Sequence, residues 1–213
     1  MTGAAWGLLA LTLVIAVADW VAVATERKTL EYVFKPATMV ALIGVALALT
    51  PHESSIRTWF VVAMVCSLAG DVFLMLPRDL FIPGLVSFLL GHVAYVIGLV
   101  SAHRSTPLTG VGIVLVVIAL AVVLPRVLAG ARTQAPELVP PVVVYVGVIS
   151  VMVISAWGSA TLLAVAGATL FYASDATLAW NRFVEERPRG HLAVMTTYHL
   201  GQIGLCLALV SLR

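Results

Sequence analysis

The sequence has very few charged side chains. Aspartate, glutamate, lysine and arginine make up 10% of its 213 residues, against about 25% in ordinary soluble domains. Hydrophobic residues make up 62%, and the mean hydropathy is +1.09. This composition excludes a soluble globular fold, and we interpret the chain as an integral membrane protein whose first partner is the lipid bilayer.

The sequence also lacks a basic stripe, a metal-ligand motif and a set of paired cysteines. The net charge is only +2 and the basic residues are scattered, which excludes a nucleic-acid partner. Cys66 and Cys206 both fall inside apolar runs, where they are expected to be small packing residues. No histidine pair has the spacing HxxxH, so neither a metal nor another cofactor is predicted.

Apolar stretches long enough to cross a bilayer recur along the chain. A span needs about 20 mostly apolar residues. Because these spans fill the chain, residues 1–213 are predicted to form a single all-α transmembrane domain. The first run has no basic segment before it and is expected to be retained rather than cleaved as a signal. The eight predicted helices cover residues 3–24, 32–50, 58–76, 82–102, 108–124, 139–157, 159–180 and 190–212.

The distribution of positive charge predicts the orientation. Of the 12 lysines and arginines, eight fall in the odd-numbered connections between these helices, and Lys35 near the start of helix two is a ninth on the same side. Such connections are expected to be cytoplasmic, so both termini are predicted to lie outside the cytoplasm. The protein is therefore expected to be a multi-pass protein of the plasma membrane, which in a bacterium is the inner membrane.

Four ionisable residues are predicted to lie at one depth, in the cytoplasmic half of the membrane. Asp71 and Asp175 lie near the ends of helices three and seven, and His92 and His199 lie in helices four and eight. The segment from Leu68 to His92 loosely resembles the segment from Tyr172 to His199, which suggests two parallel four-helix repeats with a site where they meet. Two histidines and two aspartates at one depth could also bind zinc, so a zinc hydrolase is an alternative.

Asp71 and Asp175 are the predicted catalytic residues, because a carboxylate in hydrocarbon is costly and usually functional. Lys35 and Pro36 are expected to open helix two, where a phosphate would fit beside free backbone N–H groups. Helices five and six carry no charged residue in their spans and are expected to be scaffold. The role of Asp19 is left open. The predicted substrate-binding residues are Lys35, His92, Tyr95, Asn181, Tyr198, His199 and Gln202.

Several short motifs in this order resemble the YhhN family of membrane proteins, which includes the mammalian lysoplasmalogenases. The resemblance covers helix two to helix eight and includes Gly70-Asp71, Ser174-Asp175, and the segment from Gly84 through Phe88 and His92 to Tyr95. Phe34-Lys35-Pro36, Phe183, and Tyr198 with Gln202 complete it.

The resemblance implies a lysophospholipid substrate. It implies hydrolysis of the vinyl ether bond of a lysoplasmalogen to a fatty aldehyde and glycerophosphoethanolamine or glycerophosphocholine. Asp71 and Asp175 match the family's carboxylates, and acid catalysis by one of them suits this reaction. The alternative from the residues alone is a proton-coupled transporter of a small molecule or lipid that uses the same carboxylates. The sequence leaves the oligomeric state open.

Overall fold

The computed structural model describes residues 2–102 and 104–213. Eight α-helices account for most of these residues, and no strand occurs in the described ranges. The all-α prediction and the number of helices are therefore confirmed. The helices are α1 (Gly3–Ala24), α2 (Lys28–Ala48), α3 (Ser54–Met75), α4 (Phe81–Val100), α5 (Thr106–Gln134), α6 (Val139–Gly158), α7 (Leu162–Phe183) and α8 (Gly190–Ala208).

Within the described ranges, seven helices, α1 to α7, are long and apolar enough to cross a membrane. The chain is therefore a polytopic membrane protein. The remaining helix, α8, has 19 residues, but Tyr198, His199 and Gln202 reduce its hydropathy. All three side chains are buried in the bundle. The eighth span and the orientation of the termini stay predictions.

The helices form antiparallel neighbours joined by short turns. α1 packs mainly on α2, α3 on α4, α5 on α6, and α7 on α8. The turn after α1 contains Glu26 and the turn before α7 contains Ala160, both with positive φ. α4 also packs against α6, and α8 also contacts α1, α2 and α3. These cross-contacts bring the second half of the chain against the first. The two parallel four-helix repeats stay a prediction.

Close approach of α7 and α8 depends on glycines. A Cβ on Gly167 would lie 2.5 Å from the backbone nitrogen of Leu205 and 2.8 Å from the carbonyl oxygen of Gly201. Neither backbone atom can move aside as a flexible side chain could. The two helices therefore touch through their backbones, as small residues allow in membrane bundles.

The predicted start of α2 is wrong. The helix begins at Lys28, so Pro36 is an internal residue and Lys35 is not at an N-terminus. Proline has a helical φ, and its missing N–H frees only one carbonyl, which membrane helices tolerate. In the same turn, the hydroxyl of Thr38 donates to the carbonyl oxygen of Phe34 at 2.9 Å. The predicted phosphate cradle of free backbone N–H groups therefore does not exist.

The predicted end of α5 is also wrong. The helix continues through Pro125 to Gln134, ten residues beyond the predicted end at 124. Val127 and Ala131 of this extension are buried in a small apolar cluster with Leu138 and Phe183. The side-chain amide of Gln134 also donates to the carbonyl oxygen of Phe183 at 3.0 Å. This tertiary packing continues the helix past its proline and closes one side of the cavity described next.

Candidate active site

One apolar cavity of about 320 Å³ contains both predicted catalytic residues. This volume lies in the range of small-molecule sites, about 300–1,000 Å³. Its apolar walls include Leu120, Val123, Leu124, Val127, Val146 and Ile149 from α5 and α6. The polar and charged side chains on its surface are Glu31, Lys35, Asp71, Tyr145, Tyr172, Ser174, Asp175, His191 and Tyr198.

The cavity reaches one end of the bundle. Glu31 and His191 lie in the first turns of α2 and α8, while Phe81 begins α4 and Phe183 ends α7. These helix ends adjoin the odd-numbered connections that the charge pattern assigns to the cytoplasm. The cavity is therefore expected to open at the cytoplasmic surface, with its carboxylates deeper in the bundle.

Asp71 is held by one cation and one phenol. Its side chain is 1% exposed, and its Oδ1 lies 3.4 Å from Nζ of Lys35. The hydroxyl of Tyr198 donates to Oδ2 at 2.6 Å. Gly70 makes room beside it, because a Cβ there would lie 2.5 Å from the ring of Phe88. The arrangement is that of a buried ion pair whose carboxylate also accepts a hydrogen bond.

Asp175 has a phenol and an imidazole as its partners instead. The hydroxyl of Tyr145 donates to its Oδ2 at 2.5 Å, and Nε2 of His92 lies 3.3 Å from the same oxygen. His92 Nε2 is also 3.0 Å from the hydroxyl oxygen of Tyr145. No lysine or arginine lies within 4 Å of Asp175 in the described part of the chain. The side chain is 16% exposed, so it is more accessible from the cavity than Asp71.

The ring of Phe171 packs against one partner of each carboxylate. It packs edge-on against His92, with centroids 4.8 Å apart, and against Tyr198, with centroids 5.3 Å apart. Phe88 packs against Phe171 and Tyr198 as well. Among the described residues, no side-chain hydrogen bond joins the partners of Asp71 to those of Asp175. Aromatic packing therefore holds a partner of each carboxylate in place, while both carboxylates face the same cavity.

Other predicted site residues lie outside the cavity lining. Tyr95 donates to Oε1 of Gln202 at 2.5 Å, and both side chains are fully buried. His199 accepts from the indole N–H of Trp20 at 3.1 Å. Asn181 accepts, at 3.4 Å, a hydrogen bond from the backbone N–H of Arg187 in the turn before α8. These contacts join helices or order a turn, whereas Lys35 and Tyr198 line the cavity and His92 lies behind Asp175.

The four ionisable residues predicted at one depth do not form one cluster, because Asp71 pairs with Lys35. His92 adjoins Asp175, whereas His199 Nδ1 lies 3.9 Å from Oδ2 of Asp19 on α1. No group of three or more His, Cys, Asp or Glu side chains suited to a metal ion occurs in residues 2–102 and 104–213. The zinc set considered from the sequence is therefore not assembled by these residues.

The sequence interpretation missed Tyr145, Glu31 and His191. Helix α6 is predicted to be scaffold, yet its Tyr145 is the hydrogen-bond donor to Asp175. The available signal is a single phenol within an otherwise valine-rich run. Glu31 and His191 lie near helix ends, where charged residues are ordinary, and no sequence signal singles them out.

Comparison with known proteins gives the chain's relatives. The chain is 34% identical to human lysoplasmalogenase TMEM86B over 149 residues, which are 68% of this chain and 61% of that protein. It is 31% identical to bovine lysoplasmalogenase TMEM86A over 185 residues, covering 80% of this chain and 71% of that one. A lysoplasmalogenase of Mycobacterium tuberculosis is 30% identical over 165 residues, 75% of this chain and 62% of that one.

The chain thus spans 61% of the length of the human relative that it matches. No solved structure shows a significant match to it. The family model described as the YhhN family matches residues 30–209, which include the whole cavity lining from Glu31 to Tyr198. The chain belongs to the YhhN family.

Proposed function

We propose that this protein is a membrane hydrolase that cleaves the vinyl ether bond of a lysoplasmalogen. The products are a fatty aldehyde and the glycerophospho headgroup, glycerophosphoethanolamine or glycerophosphocholine. The observation that carries the proposal is the pair of carboxylates in one apolar cavity, one beside a cation and the other beside a phenol that donates to it. The names of the relatives support the same reaction class.

The different partners assign different roles to the two carboxyl groups. The ammonium of Lys35 balances a negative charge on Asp71. Asp175 has no such cation among the described residues, so it is the proposed proton donor. Nδ1 of His92 is buried without a hydrogen-bond partner in the described ranges. A buried N–H needs an acceptor, so the proposal places the proton of His92 on Nε2, facing Tyr145 and Asp175.

In the first step, Asp175 transfers its proton to the β-carbon of the vinyl ether. The double bond supplies the electron pair for the new C–H bond, and the α-carbon and ether oxygen become an oxocarbenium ion. Asp175 is then a carboxylate, stabilised by the Tyr145 hydroxyl. The negative charges of Asp175 and Asp71 stabilise the cation within a cavity whose walls are largely apolar.

In the second step, water adds to the α-carbon and its released proton returns to Asp175. The product is a hemiacetal. Its hydroxyl proton then moves to the ether oxygen as the carbon–oxygen bond breaks, which releases the aldehyde and the glycerol hydroxyl. One water is consumed, and Asp175 is protonated again, so the proton balance of the cycle closes.

The cavity surface suits a single-chain lipid with a polar head. The apolar side chains of α5 and α6 would contact the hydrocarbon chain, while Lys35 on α2 offers a cation on the cavity surface. Lys35 has three N–H donors, and Asp71 is its one ion-pair partner among the described residues. The remaining donors are available to a phosphate oxygen. Lys35 can therefore still bind phosphate as predicted, although it is not at a helix N-terminus.

The test is aldehyde release from a defined lysoplasmenylethanolamine by purified protein in detergent. Wild type is compared with Asp71→Asn and Asp175→Asn, with and without a chelator. Asp79→Asn is the matched control, because Asp79 is exposed at the same end of the bundle and outside this cavity. Loss of turnover in the first two variants alone, unaffected by chelator, is the expected result. No aldehyde from wild type would overturn the proposal and favour a transporter.

A further inference from the structure

We propose that Glu31 binds the ammonium group of a zwitterionic lipid headgroup and so determines headgroup specificity. The proposal deepens and rests on the proposed hydrolase function, because it concerns the same cavity. Its basis is the placement of one anion and one cation on the cavity surface at the same end of the bundle. Neither Glu31 nor its neighbour His191 has a part in the proton transfers described above.

Glu31 and Lys35 are four residues apart on α2 and both line the cavity. Side chains at this spacing lie on one face of a helix, with Cβ atoms about 5–6 Å apart. The deeper residue, Lys35, lies beside Asp71, whereas Glu31 lies one turn nearer the bundle end. A headgroup that entered from the cytoplasmic side would meet the Glu31 carboxylate first and the Lys35 ammonium one helical turn deeper.

Glu31 is oriented by His191. Oε1 of Glu31 lies 2.7 Å from Nε2 of His191, in the first turn of α8. The glutamate side chain is 13% exposed, whereas the histidine is 52% exposed. Among the described residues, Oε2 of Glu31 has no hydrogen-bond partner. The histidine thus holds one carboxylate oxygen and leaves the other able to accept from a ligand.

A largely buried carboxylate with one free oxygen is best matched by a cationic donor. Hydrogen bonds between an ammonium and a carboxylate are among the stronger ones in proteins. In an ethanolamine headgroup, the ammonium lies two carbons from the phosphate ester, so one molecule can reach both Glu31 and Lys35. An anionic headgroup without an amine would place only negative charge near Glu31. Repulsion of that kind gives specificity as effectively as attraction.

The experiment measures binding with saturated ether lipids, which contain no vinyl ether bond to cleave. Calorimetry in detergent compares 1-O-alkyl-glycerophosphoethanolamine with 1-O-alkyl-glycerol-3-phosphate. Wild type is expected to bind the ethanolamine lipid at least about tenfold more tightly, as one charge-assisted hydrogen bond can supply. Glu31→Gln, which keeps the shape and an acceptor for His191, is expected to remove this preference.

The matched control is Glu137→Gln, which neutralises an exposed carboxylate at the same end of the bundle and outside the cavity. It is expected to keep the wild-type preference. Glu31→Ala provides a second variant if the glutamine variant is not monodisperse. Equal affinity of wild type for both lipids, or an unchanged preference in the folded Glu31 variants, would overturn the proposal.

The two proposals fail in different ways. A Glu31-dependent preference for the saturated ethanolamine lipid, without aldehyde from the vinyl ether, would refute the hydrolase and support the headgroup site. If aldehyde is released at the same rate with or without the headgroup amine, and in wild type as in the Glu31 variants, the hydrolase is supported and the headgroup site is refuted.

Discussion

The ammonium of Lys35 lies 3.4 Å from Oδ1 of Asp71, and both side chains are almost completely buried. A buried ion pair stabilises a protein little by itself, but removal of one partner leaves an uncompensated charge. This pair therefore connects the stability of the bundle to the charge state of the proposed active site.

Replacement of Lys35 by methionine is expected to destabilise the protein strongly, by roughly 3–5 kcal/mol, because Asp71 would lose its counterion. Thermal unfolding in detergent measures the change. The double variant Lys35→Met with Asp71→Asn is expected to recover much of the loss, since it removes both charges. The exposed Lys28→Met serves as control. Additive losses in the double variant would contradict the coupling.

Replacement of Tyr145 by phenylalanine is expected to lower kcat about 10- to 100-fold, because the phenol stabilises the Asp175 carboxylate formed as its proton leaves. KM for lysoplasmenylethanolamine is expected to change little, since the hydroxyl donates to Asp175 rather than to substrate. Steady-state aldehyde release separates the two constants. Tyr32→Phe, at a 40% exposed position, is the control. An unchanged kcat would remove Tyr145 from the mechanism.

Substitution of Gly167 by alanine is expected to cost about 1–3 kcal/mol, because the new methyl group would overlap the backbone of α8. A Cβ on Gly147 of α6 would meet no other atom within 4 Å, so Gly147→Ala is the matched control. That control is expected to be neutral or stabilising by up to about 1 kcal/mol, from helix propensity. The melting temperatures of the two variants in detergent test this prediction. Equal values would refute the backbone contact between α7 and α8.

Replacement of Asp19 by leucine is expected to stabilise the protein and to leave aldehyde release intact. Both carboxyl oxygens of Asp19 are buried without a hydrogen-bond partner among the described residues. An apolar side chain of similar size removes the free-energy cost of burying two polar atoms without hydrogen bonds. Asp19 also lies outside the cavity lining. Lower stability would show that the carboxyl has a partner within the bundle, and lost turnover would extend the site toward His199.

Local composition is sufficient to predict the eight helices and to select Asp71 and Asp175. Hydrophobic length defines a membrane helix almost without reference to its neighbours, and an intramembrane carboxylate is conspicuous. The predicted start of α2 and the predicted end of α5 are wrong because each treats a proline as a boundary. Whether a proline ends a helix depends on the packing of the next turns, which the local sequence does not contain.

Side-chain partners are harder to predict than positions. Tyr145 meets Asp175 because α6 packs against α4 and lies beside α7, a choice among helices that no single helix encodes. Asn181 has a polar side chain at the right depth, but it completes the turn before α8. The sequence predicts the positions of buried polar residues more reliably than which of those residues meet.

The Phe171 ring is shared by the surroundings of the two carboxyl groups. It contacts His92, which lies beside Asp175, and Tyr198, which donates to Asp71. It forms a hydrogen bond with neither. In a dyad whose carboxyl oxygens touch, a single proton is shared and both groups titrate as one unit. Among the described residues, no hydrogen bond joins Asp71 and Asp175. Instead, the single ring of Phe171 packs on both His92 and Tyr198, so one side chain sets the positions of the partners of both carboxyl groups.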